Sequence, residues 1–98
     1  MYPSNIGQRK PKAALAAVQP PGVASGSVHV IALAVLSALT YGWESSLDQL
    51  SWTVTTTGQS RTTLTGLTPG KTYYFRFRAF RRNNTVMDYS QVVTLLVK

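Results

Sequence analysis

The stretch GLTPGKTYYFRFRAF, Gly66 to Phe80, constrains this chain more than any other part of it. After the turn signal Pro69-Gly70, aromatic and basic residues alternate: Tyr73, Phe75, Phe77 and Ala79 at one parity, Tyr74, Arg76, Arg78 and Phe80 at the other. A period of two is that of a strand, whose successive side chains leave opposite faces. The first set predicts a core-facing strand surface, and the second predicts its outward surface. An apolar sheet face builds a core, so the stretch speaks for a strand with one side buried.

The rest of the chain supplies further strands. Ninety-eight residues make one small domain with a single core. Threonine, valine, tyrosine and phenylalanine crowd its second half, a composition that favours strands. Met1 to Lys12, with Pro3, Gly7, Pro11 and a basic cluster, reads as a flexible leader or linker preceding a domain over residues 13–98. Ala13 to Val18 suits a helix or a first strand, and Gln19 to Gly26 breaks the chain. Ser27 to Ala34 reads as a strand with Val28, Val30 and Ala32 on one face. Leu33 to Leu39 stays apolar where a polar connection belongs, and a short helix is an alternative there. Thr40 to Ser45 sets Tyr41 and Trp43 against Gly42 and Glu44, a half-buried strand. A threonine-rich strand, Trp52 to Thr57, follows a short loop. Thr57 to Arg61 is a tight connection, and Thr62, Leu64 and Leu67 face inward on the next strand. Lys71 to Arg81 is the longest strand, and Tyr89 to Val97 closes the domain. Short strands parted by turns point to an all-β sandwich.

Leu67-Thr68-Pro69-Gly70-Lys71-Thr72-Tyr73, with the alternating strand Tyr73 to Ala79 after it, resembles the fibronectin type III module. Gly26-Ser27-Val28-x-Val30, Tyr41-x-Trp43, Trp52 in Ser-Trp-Thr, and Thr63 to Leu67 match further strands of that pattern, in the style of bacterial modules. The resemblance implies an immunoglobulin-like sandwich of seven strands, A-B-E facing C-C′-F-G. Tyr73 then takes the corner position, its ring buried and its hydroxyl bonded to upstream backbone. The expected core is Tyr73, Phe75, Phe77, Trp43, Tyr41, Leu64 and Leu67. One residue departs from the family: Ala32 stands where strand B normally carries a tryptophan. Trp43, on the opposite sheet, is expected to fill that space.

Charge bears on function. Ten lysines and arginines against three acids give +7, which invites polyanions or simply keeps an acid-poor domain soluble. Tyr74, Arg76, Arg78 and Phe80 form a basic, aromatic face that suits nucleic acid or sulfated glycan through stacking and phosphate pairing. Glu44 projects from the neighbouring strand onto that face, and a cross-strand Glu–Arg pair explains the arginines without a ligand. On that reading they are mainly the wet side of a strand.

A second candidate lies where the B–C, C′–E and F–G loops converge. Arg61, Arg81, Arg82, Asn83, Asn84, Val86 and Met87 gather there with Val35 and Leu36, an apolar patch rimmed by arginine and asparagine. Such a surface suits a protein partner; ordinary loop chemistry, with Met87, Val35 and Leu36 tucked beneath, is the plainer explanation. Asn83-Asn84-Thr85 also fits a glycosylation sequon. The C-terminal strand, apolar at both parities, is a candidate for weak self-association.

Other chemistry finds little material. There is no cysteine and one histidine, His29, which alternates to the outside of its strand. Glu44, Asp48 and Asp88 are too scattered for a carboxylate pair or a metal site, so no enzyme, metal or cofactor is expected. No signal peptide is visible, and Val28 to Leu39 is too short for a membrane span. The expected function is a non-catalytic interaction or spacer module, with an extracellular or cell-surface setting implied by the family resemblance alone.

Overall fold

Seven strands carry the alternation into three dimensions: β1 (Leu15–Val18), β2 (Val28–Ala32), β3 (Ala38–Ser46), β4 (Thr53–Thr57), β5 (Arg61–Leu64), β6 (Thr72–Arg81) and β7 (Val93–Leu96). The computed structural model describes residues 14–33, 38–81 and 85–98. The leader, Val35, Leu36, Arg82, Asn83 and Asn84 lie outside the described residues, as does most of the apolar stretch after Leu33.

A three-stranded sheet of order β1-β2-β5 faces a four-stranded sheet of order β4-β3-β6-β7, all neighbours antiparallel. This is the A-B-E and C-C′-F-G arrangement expected from the resemblance. Residues 15–18, which suited helix or strand, form the strand β1: Leu15 is buried and opposes Ala32. β3 runs longer than its alternating core predicted. β7 is shorter, because Tyr89 and Ser90 leave the ladder. Ser90 compensates there. Its N–H donates to the Phe77 carbonyl at 2.7 Å, and its hydroxyl accepts the Phe77 N–H at 3.0 Å. No backbone group of Phe77 is left orphaned by the departure.

The core forms where the two inner faces meet. Val28 and Val30 from β2 and Phe75, Phe77 and Ala79 from β6 are fully enclosed, each larger side chain contributing about 1.5–3 kcal/mol by leaving water. Trp43 is buried as expected opposite a three-stranded sheet whose Ala32 is small. Its ring stacks on Tyr41 at 5.7 Å and tilts on Phe77 at 5.5 Å. Its indole N–H donates to the Thr57 hydroxyl at 2.8 Å, so the ring is buried with its polar atom satisfied. Leu67 differs from expectation. It lies beyond the end of β5 and is half-buried, packed against the core and not within it.

Two tight closures fix the end below Tyr73. The Tyr73 hydroxyl accepts the Thr68 N–H at 2.9 Å, which ties the turn down as the corner position requires. Gly26 holds a left-handed φ of 77°, and a Cβ there would sit 2.5 Å from the Leu67 carbonyl oxygen. Only glycine fits.

Candidate functional site

Strand β6 lies in the middle of the four-stranded sheet, and its outward residues meet neighbours on both sides. Glu44 of β3 stands directly opposite Arg76. Arg76 donates to Glu44 Oε1 from Nε at 2.9 Å and from its terminal nitrogen at 2.8 Å, and the Tyr89 hydroxyl donates to Oε2 at 2.8 Å. The carboxylate is only 5% exposed, and its two oxygens are committed inside the protein. The Arg76 guanidinium lies between two rings, 3.9 Å from the Trp52 centroid and 3.8 Å from that of Tyr89. Arg78 extends the stack, 4.5 Å from Tyr89 and 5.5 Å from Phe80. The Phe80 ring reaches across the sheet to Gly42, where a Cβ would come within 3.1 Å of it.

Trp52, Arg76, Tyr89, Arg78 and Phe80 thus form one ladder of alternating rings and cations. This corrects the reading of Arg76 and Arg78 as the wet side of a strand. Like Tyr74 and Phe80 they are half-buried, and rings from outside β6, Trp52 and Tyr89, lie over the two arginines. A guanidinium is weakly hydrated and stacks on aromatic faces, so it tolerates this cover where a lysine would not. Burial is the chief cause that holds the Tyr89 hydroxyl above the ordinary phenol value, and its bond to the Glu44 carboxylate adds to the effect.

The expected Glu44–Arg76 pair is present; the roles of Trp52 and Tyr89 were missed. Trp52 had a signal, since it shares the parity of Val54, which opposes Glu44. Tyr89 had none, because it reaches the face from an irregular segment.

At the loop end, the described candidate residues sit at the ends of strands or just beyond them. Arg61 begins β5 opposite Ile31, and Arg81 ends β6 opposite Ala38. The Arg81 N–H donates to the Thr85 carbonyl at 2.8 Å, and Val86 forms an antiparallel bridge with Phe80. Val86 is 45% exposed, together with Leu33 at 66% and Leu39 at 51%. Met87 donates its N–H to Ala79 and packs against the core. Arg61 is exposed and Arg81 half-buried. The Nε atoms of Arg78 and Arg81 are enclosed, with no hydrogen-bond partner among the described residues.

The opposite end is ordered by polar caps. The Asp48 carboxylate accepts the N–H groups of Leu50 and Ser51, and the Ser46 hydroxyl accepts those of Asp48 and Gln49. The Ser51 amide foremost, then that of Leu50, holds the Asp48 carboxyl below its usual value. Among the described residues no cluster of His, Cys, Asp or Glu could hold a metal, and no helix is long and apolar enough to cross a membrane. His29 bonds the Thr63 hydroxyl through Nδ1 at 2.8 Å, on the outer side of its sheet.

No family model matches the sequence, and no curated protein matches it. Solved structures do. A chain containing titin kinase and its flanking domains superposes with a TM-score of 0.70 at 17% identity, covering 90% of this chain and 17% of that one. The sixth fibronectin type III domain of human fibronectin type III domain containing protein 3 superposes at 0.66 and 18% identity, covering 89% and 81%. A β-1,2-glucanase from Parabacteroides distasonis gives 0.67 at 17% identity, covering 88% of this chain and 12% of the enzyme. This chain therefore spans a small part of the titin and glucanase chains and most of the isolated human domain. At these identities the likeness speaks for architecture. Two antiparallel sheets in this strand order, the Tyr73 corner and these superpositions together establish a fibronectin type III-like fold.

Proposed function

We propose that this domain is a non-catalytic interaction or spacer module, part of a surface or secreted protein, that meets a protein partner through its B–C, C′–E and F–G loop end. The observation that carries the reading is the exposure of Leu33, Leu39 and Val86 at one end, beside Arg61 and Arg81. Apolar residues rimmed by arginine are the composition of an interface core and its edge. The glucanase supplies a precedent in architecture only: a domain-sized part of a larger enzyme chain matches this fold.

A photo-reactive residue at Leu39 or Val86, compared with one at His29 on the outer β2 face, tests the reading in the protein's native setting. Cross-links to one defined protein from the loop end and none from His29 are expected, and Leu33→Ser/Leu39→Ser should abolish capture at unchanged stability. Equal labelling from both positions would refute the assignment.

A second reading, polyanion binding on the basic outer face of β6, draws support from Arg78, which has Gly42 and no acid opposite it on β3. Arg76 weighs against it, since Glu44 already neutralises that cation. Heparin and oligonucleotide titrations at two salt concentrations separate the readings, because phosphate or sulfate binding weakens steeply with salt.

A further inference from the structure

The two flanks of the sandwich are finished differently. On one flank β1 packs against β7 and β6. Gln19 laces that flank shut: its Oε1 accepts the Lys98 N–H at 2.8 Å, and its Nε2 donates to the carbonyls of Ser27 and Lys98 at 3.0 and 3.1 Å. On the other flank β4 ends the four-stranded sheet and β5 ends the three-stranded one, and no described strand pairs beyond either. A groove of about 420 Å³ runs between them, lined by both polar and apolar residues, Thr53, Thr55, Thr63, Leu64 and Tyr73 among them.

Strand β4 is Thr-Val-Thr-Thr-Thr, β-branched throughout and uncharged, and its register with β3 runs without a shift. Alternate residues of an edge strand direct their N–H and C=O groups away from the sheet. Natural edges are blunted by a charge, a proline, a bulge or a covering loop. Strand β4 carries no charge, proline or bulge, and four of its five residues are exposed. Val54 and Leu50 add apolar surface there, at 57% and 85% exposure.

We infer that the outer edge of β4 pairs with β4 of a second copy of this chain, antiparallel about a two-fold axis through Thr55. The occupant is a second copy because the edge complements itself. Thr53 meets Thr57, Val54 meets Thr56 and Thr55 meets its own mate, so no like charges face each other in a chain of net charge +7. Antiparallel pairing also sets the start of β5 in one copy beside the β3–β4 loop of the other. That brings the cation Arg61 towards the loop that carries the anion Asp48. The C-terminal strand β7, apolar as its sequence is, has the laced flank beside it. Pairing through β4 joins two sheets into one continuous sheet and points the two loop ends in opposite directions, which goes beyond a single interaction surface.

The chain has no cysteine, so one introduced at the axis reports on pairing alone. Opposed residues in antiparallel strands have Cα atoms about 4.5–5.5 Å apart, within disulfide reach. Sedimentation of the full chain is expected to show a concentration-dependent dimer. Thr55→Cys should oxidise to a covalent dimer while Thr94→Cys, exposed on β7, stays monomeric. Thr55→Lys, which sets like charges face to face, should raise the dimer dissociation constant about tenfold or more and leave the circular dichroism spectrum unchanged. A chain monomeric at every concentration would overturn the inference. So would a dimer that Thr55→Lys leaves intact, or one that cross-links through position 94 in place of 55. A monomer that adds a foreign strand peptide at β4 would overturn it equally.

Discussion

Removing Glu44 tests whether the ring-and-cation ladder is a structural device. The carboxylate is buried while the Arg76 side chain keeps 23% of its exposure, so the pair sits between surface and interior. Two unit charges 4 Å apart attract by about 4 kcal/mol at an effective dielectric of 20, and solvent at the arginine reduces the net value. Truncation also strands two donors, Arg76 and the Tyr89 hydroxyl, and bonds to charged groups contribute about 1.5–3 kcal/mol each. Glu44→Leu should therefore cost about 2–4 kcal/mol, a large share of the roughly 5–15 kcal/mol typical of a domain. Arg76→Met in the same background should return about 1–2 kcal/mol of it, since an all-apolar replacement leaves no uncompensated charge. Urea denaturation of the four members of the cycle, followed by circular dichroism, gives the coupling energy. A Glu44→Leu cost under about 0.5 kcal/mol, or a coupling energy of zero, would show the pair to be an ordinary surface contact and refute the reasoning.

Other perturbations bear on the corner, the turns and the phenol. Tyr73→Phe removes the acceptor of the Thr68 N–H and should cost about 1–2 kcal/mol by urea denaturation; no change would mean that water replaces the bond. Gly26→Ala should cost about 2–4 kcal/mol, combining left-handed strain with a clash against the Leu67 carbonyl, while Gly70→Ala, with open space around it, should cost only about 1–2. Equal thermal shifts for the two would remove the clash from the account. The Tyr89 pKa is raised above 10.0 in the folded state. Its contribution to stability is therefore full below the unfolded value and is lost as pH rises through the folded one. Stability measured across that alkaline window should fall less steeply in Tyr89→Phe than in the parent chain, and identical slopes would contradict the assignment.

Parity made most of the fold legible. The alternation from Tyr73 to Ala79 identified the enclosed face of β6, and Pro69-Gly70 with Tyr73 located the corner. Tyr41 and Trp43 then defined the inner face of β3, and their rings meet Phe77. What parity could not supply was the cover over the outward residues. Alternation assigns a side chain to a face but says nothing about what crosses that face from elsewhere in the chain. The wet reading of Arg76 and Arg78 failed for that reason: Tyr89 arrives from a segment that has left the ladder, and Trp52 from the residue before β4. Leu67 shows the complementary error, because extending the β5 alternation past Leu64 assumes a strand where the chain has already turned at Gly66, whose φ is 76°.

Once the ladder is seen, Arg76 separates from Arg61 and Arg81 in what its charge can do. Arg76 is neutralised within the fold by Glu44, so its charge does little for an external ligand. Arg61 and Arg81 have no acid opposite them in their strand pairs, Ile31 and Ala38 standing there instead. Their fields act at the loop end, beside Leu33, Leu39 and Val86. On the proposed reading, Arg61 and Arg81 draw a partner to the end of the sandwich, while Arg78, opposite Gly42, is the cation of the broad face that no acid opposes. Arg61→Ser/Arg81→Ser should slow association with a loop-end partner and flatten its dependence on salt, whereas Arg76→Met should leave the association rate unchanged and lower stability. If Arg76→Met slowed association more than the loop-end pair did, the face and not the end would be the docking surface.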